Sequence, residues 1–161
     1  MATLTVTINE RLLLNNNDYS SNNKLSVTGV SEVVKRIVNI GTDEIGLLGF
    51  GTAYNTELSK TYVAGQFDDD DVRYIRVTNL DDTTSVTLSL QSDAGEDDSA
   101  ADESASLLLE AGKSFMMGTP NDGIGISDAN SNLVTDLVDL ESLVIFTGSD
   151  AIDVEIFVAS A

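Results

Sequence analysis

Carboxylates are the side chains best equipped for chemistry in this sequence. The run Asp68-Asp69-Asp70-Asp71 offers hard oxygen ligands of the kind calcium takes. A second group, Asp93, Glu96, Asp97, Asp98, Asp102 and Glu103, falls within Ser92–Ser104. Neither follows the EF-hand spacing of alternating Asp/Asn positions, a central Gly and a distal Glu. Each reads more simply as a solvated loop whose charge discourages strand pairing at an edge. No metal ligand is assigned. Calcium binding at either run implies a rise in thermal stability with millimolar calcium and none with matched sodium.

Other spacings point to chemistry less well. Acidic pairs are the raw material of glycoside hydrolysis, but that reaction is defined by two carboxyl groups held across a cleft. The aromatic platforms a sugar cleft needs are sparse: Tyr19, Tyr54, Tyr62, Tyr74 and five phenylalanines. Lys113-Ser114 has the residue types of a Ser–Lys nucleophile. Neighbours on a strand point to opposite faces, so the pair reads as a strand entrance after a turn at Gly112. Gly46-Leu47-Leu48-Gly49-Phe50-Gly51 lacks the Lys-Ser/Thr ending of a phosphate-binding loop and reads as a strand with a bulge. Arg73 and Arg76, three apart, fall on opposite faces of one strand. They are placed to pair with the Asp68–Asp71 run or with an acidic neighbouring subunit.

Composition narrows the classes further. The 161 residues hold no cysteine, no histidine and no tryptophan. That removes disulfides, thiolate sites, the commonest zinc ligand and the usual general base near neutral pH. Eight basic against 27 acidic residues give a net charge of −19, which repels nucleic acid and anionic membrane surfaces. The cations are scattered and form no track for a phosphate backbone. No stretch reaches the length of apolar residues that spans a bilayer, and the N-terminus lacks the features of a secretory signal. Manufacture in a cytoplasm is expected. No catalytic residue and no cofactor is assigned, and a non-enzymatic role is expected.

Period-two alternation supplies the frame. Leu4, Val6 and Ile8 share one face and Thr3, Thr5 and Thr7 the other, as a half-buried strand requires. Val72–Thr78, Thr84–Gln91 and Ile152–Ala159 repeat the pattern. Further strands are predicted at Leu25–Thr28, Val33–Ile40, Gly46–Phe50, Ser106–Leu109, Ser114–Met117 and Ser142–Thr147. The β-branched run in Val33–Ile40 favours strand over helix. Leu133–Leu143 has nearly helical spacing and predicts one short helix or an irregular turn. Asn15–Asp18 and Ser20–Asn23 form a long N-terminal turn, and Asn79–Thr83 joins two strands as a hairpin loop. Residues 92–104 read as an acidic mobile insertion, and Gly118–Asn132 as an ordered loop. Short strands between polar loops predict a single all-β domain over 1–161: an antiparallel β-sandwich of jelly-roll or Greek-key type.

Three segments then resemble a known group together. Met1-Ala2-Thr3-Leu4-Thr5-Val6-Thr7-Ile8-Asn9-Glu10, the stretch Val72-Arg73-Tyr74-Ile75-Arg76-Val77-Thr78-Asn79-Leu80-Asp81-Asp82-Thr83 and Leu109-Glu110-Ala111-Gly112-Lys113-Ser114-Phe115 are similar to small structural proteins of marine tailed bacteriophages. The ending Val154–Ala159 fits the same pattern. The resemblance covers most of the chain thinly and lies in strands and turns, so it transfers no functional residue. It implies a virion component in many symmetric copies, with a head decoration (cement) protein bridging capsid subunits as the leading expectation. Its partners would be the major capsid protein or other virion proteins, and a homo-oligomer or symmetric array is expected. A tail- or fibre-associated part is the nearest alternative. The rival from another class is a carbohydrate-binding β-sandwich for host recognition, with Tyr54, Tyr62 and Tyr74 as its exposed aromatics.

Overall fold

Alternating apolar residues become the inner faces of two stacked sheets. The computed structural model describes residues 1–51, 62–92, 103–119, 124–126 and 138–161. One sheet sets β10 (Glu103–Leu109), β9 (Val86–Ser92), β13 (Val138–Phe146), β6 (Ile45–Phe50) and β7 (Gln66–Phe67) side by side, with β12 (Gly125–Ile126) also against β13. The other sets β11 (Ser114–Gly118), β8 (Val72–Asn79), β14 (Ile152–Ser160) and β5 (Glu32–Ile40) in that order. Every pairing is antiparallel except β6 with β7. No helix occurs among the described residues. The fold is an all-β sandwich, as the alternation predicts.

The inner faces meet in one apolar core. Leu47, Leu48, Leu88, Leu143 and Ile145 from the first sheet and Ile40, Ile75, Val77, Val154 and Ile156 from the second are completely buried. Burying side chains of this size contributes about 1.5–3 kcal/mol each, which makes the core the main favourable term. The four best-patterned residues of the C-terminal strand, Ile152, Val154, Ile156 and Val158, all lie in it.

Three bulges change the phase of that alternation. In β6, Val144 faces Gly46 while Leu143 faces Leu48, so Leu47 stands unopposed and both leucines are buried. This is the bulged strand expected of the glycine-rich run. In β8 the register slips between Tyr74 and Val72, so Arg73 bulges outward and Val72 joins Ile75 on the core side. In β13 the slip falls at Glu141, which puts Leu140 and Leu143 on one face.

A third element sits outside the sandwich. β1 (Ala2–Glu10) pairs antiparallel with β4 (Ser21–Val30) as a two-stranded ribbon. The hairpin is closed by β2 (Leu13–Leu14) and β3 (Asn17–Asp18). Its turn is two residues, Asn15 and Asn16, both with positive φ (50° and 64°), the backbone that tight hairpins demand and asparagine tolerates. The base of the ribbon covers the outer face of the second sheet. Val27 and Val30 pack there against Tyr74 and Ala159, with Leu4, Val6, Leu25 and Phe157 around them.

Four expectations are corrected. Ser21–Asn23 belong to β4 and not to a long turn, because their backbone pairs with Ile8–Glu10. Asn79–Thr83 is not a hairpin loop: β8 and β9 lie in different sheets, so the segment crosses the sandwich. The described part of Leu133–Leu143 is strand; the bulge at Glu141 spaces Leu140 and Leu143 three apart and so imitates a helical period. Ser92 ends β9 and Glu103 and Ser104 begin β10, which shortens the predicted insertion; residues 93–102 lie outside the described residues.

Candidate functional site

The acidic run becomes a tight turn ahead of β8. One carboxylate oxygen from each of Asp68, Asp69 and Asp70 lies within 4.8 Å of the others. The turn is also held by its own groups. The Asp70 amide donates to Asp68 Oδ1 (3.2 Å) and Asp69 Oδ1 (3.0 Å), and the Asp71 amide to the Asp68 carbonyl (3.2 Å). Arg73 donates to the Asp70 carbonyl, which is the local pairing expected of it, though to backbone and not to carboxylate. These bonds give the aspartates a structural role as turn formers. Glu96–Asp98, the other acidic candidate, lies outside the described residues.

Arg76 is used differently. On the outer face of the second sheet it donates to Glu155 Oε1 at 2.5 Å, while Lys35 lies 3.0 Å from Glu155 Oε2. The Arg76 guanidinium also lies 6.0 Å from the centre of the Phe157 ring. Hydrogen bonding from Lys35, the largest effect, together with Arg76 holds the Glu155 carboxyl below its ordinary value against the opposing effect of burial. The register explains the grouping. Glu155 sits beside Ile37 and Thr78, and Phe157 beside Lys35 and Arg76, so long side chains on three strands converge diagonally.

Lys113 and Ser114 stand at a strand entrance, as predicted. Gly112 adopts φ of 69°, and Ser114 Oγ lies 2.8 Å from Thr78 Oγ1 across the β11–β8 pair. The tyrosines do not form a common platform. Tyr54 lies outside the described residues. Tyr74 is only 5% exposed and packs edge-on against Phe157 beneath the ribbon, so it cannot face a sugar. Tyr62 is half-buried over Gly49, where a Cβ would meet its ring at 2.6 Å. Burial and the Glu141 carboxylate raise its phenol above the ordinary value.

Two surfaces emerge that sequence patterning did not single out. The first is a shallow polar groove of about 220 Å³ on the outer face of the first sheet. Thr87, Ser89, Gln91, Ser104 and Ser106 line it, with the partly exposed Phe146 at one end. The second is the ribbon. Every residue from Thr7 to Lys24 is exposed although most are in regular strands. Its outer half carries Leu12, Leu13, Leu14 and Tyr19 at 51, 70, 53 and 59% exposure. At its inner end a groove of about 310 Å³ opens between the ribbon and β11, walled by Val6, Ile8, Leu25, Tyr74, Met116 and Met117. Lys24 stands at its rim.

Charge is divided unevenly between ribbon and body. Residues 1–41 hold four of the eight cations but only three of the 27 carboxylates. The chain that forms the ribbon and the edge strand β5 is therefore close to neutral, and the acidic excess lies in the rest. An exposed two-stranded ribbon is marginal in water by itself, and apolar residues along its tip are what a protein partner covers. Comparison with protein families, with curated proteins and with solved structures returned no match.

Proposed function

We propose that the protein is a non-enzymatic structural part of a virion, a head decoration (cement) protein that bridges capsid subunits of a tailed bacteriophage. One observation carries the reading: an apolar-tipped, nearly neutral ribbon extends from a strongly acidic β-sandwich. The body stays soluble and repels its neighbours, while the ribbon presents contact surface where repulsion is least. In a symmetric shell many such contacts act together, so each can be weak. The strand order supports a jelly-roll winding. Within the sandwich the eight longer described strands run β5-β14-β8-β11 in one sheet and β6-β13-β9-β10 in the other, and nearly every connection crosses between them.

Mass spectrometry of purified particles tests the proposal. The chain is expected at a copy number comparable to the major capsid protein, and added protein is expected to sediment with shells that lack it. Absence from purified particles would remove the reading.

A second reading has its own observation. The hydroxyl-lined groove with Phe146 at its end has the chemistry of a glycan site, an aromatic face beside clustered polar groups. It makes the protein a host-recognition module. Binding on a glycan array that is lost in Phe146→Ala is its expected result, and an array without hits eliminates it.

A further inference from the structure

We propose that the ribbon mediates self-association: the tip of one copy seats in the groove at the base of a second copy's ribbon, reciprocally about a two-fold axis. The ribbon carries both halves of such a contact. Its tip presents Leu13, Leu14 and Tyr19 to solvent. Its inner half borders an apolar groove whose floor includes the exposed Met116, a side chain that repacks readily around an incoming group. The two features are separated along one hairpin, since Lys24 pairs with Thr7 beside the groove and Asp18 with Leu13 near the tip. Two ribbons laid antiparallel therefore place each tip at the other's groove, as a two-fold contact requires.

Charge selects a second copy as the occupant. Two chains of net charge −19 repel over most of their surface. The ribbon escapes this, because residues 1–41 carry four cations against three carboxylates. In the antiparallel arrangement Lys24 at each groove rim faces the end of the other ribbon that bears Asp18, an opposite-charge pair repeated on both sides. The contact completes the burial that a lone ribbon lacks.

The proposal does not depend on the virion reading and is tested on the isolated full chain. Sedimentation equilibrium at physiological salt is expected to give twice 17.1 kDa, falling to 17.1 kDa in the Leu13→Asp/Leu14→Asp variant. Both positions are exposed, so the variant's circular dichroism should match the parent. A second measurement uses the absence of cysteine. Leu14→Cys with Met116→Cys is expected to give a disulfide-linked dimer on a non-reducing gel, and neither single variant should. A monomeric parent at high micromolar concentration overturns the proposal. So does a dimer that persists in the Asp variant, as when the edge strand β5 is the true contact.

Discussion

Asn79 shows how a single buried polar side chain can join two sheets. It is fully buried at the end of β8. Its Nδ2 donates to the carbonyls of Thr84 (2.8 Å) and Leu109 (3.2 Å), and its Oδ1 accepts from the Asp81 amide (3.0 Å). Asp81 in turn accepts from the Thr83 and Thr84 amides at 2.8 and 2.6 Å, and these bonds lower its carboxyl below the ordinary range. Asn79→Ala strands those backbone groups without partners, so a loss of about 1–3 kcal/mol is expected in urea unfolding. Glu155 gives a pH-dependent counterpart. Folding lowers its carboxyl below the ordinary 4.5, so its contribution is present in full above that pH and is lost as pH falls through the folded value. Parent protein should lead Glu155→Gln in urea midpoint at pH 7, and the lead should shrink by pH 3. An unchanged lead would mean that the Lys35–Glu155–Arg76 group acts through packing alone.

Elements differ sharply in what they bury, and stability should follow. Ile145→Ala removes a fully buried side chain from β13 and is expected to cost about 2–5 kcal/mol. Leu14→Ser, at a position 53% exposed on the ribbon, should change unfolding of the sandwich by less than about 0.5 kcal/mol at concentrations where the chain is monomeric. The same contrast explains what could be read from sequence. Where strands alternate cleanly, as in Ile152–Val158 or Val86–Leu90, face and burial follow directly from residue type. Where a bulge shifts the phase the reading fails, and Leu140 with Leu143 looked helical for that reason. β13 also lies between β9 and β6, and Leu140, Leu143, Val144 and Ile145 are all buried, so it shows an apolar run in place of alternation. The ribbon's cover over Tyr74, Phe157 and Ala159 was hidden for a related cause. Apolar residues on an outer face do not announce which distant segment lies on them. The docking groove was illegible because β1, β4, β8 and β11 build it jointly.

At the scale of the whole molecule, charge and shape divide the labour. An acidic sandwich repels itself, and that repulsion opposes compactness as well as association. Raising salt from about 0.01 M to 0.15 M shortens the screening length from about 30 Å to about 8 Å. The melting temperature should therefore rise over that range in sodium chloride, and a fall would show that specific ion pairs outweigh net repulsion. The near-neutral ribbon is the exception built into this body, and on the proposed function it makes the contact with other proteins. A reconstruction of a particle that contains the chain tests this most directly. Symmetric density is expected for the sandwich on the outside of the shell, with the ribbon from Thr7 to Lys24 buried against neighbouring protein. A particle that carries the sandwich with the ribbon free in solvent, or a shell without the chain at all, would contradict it.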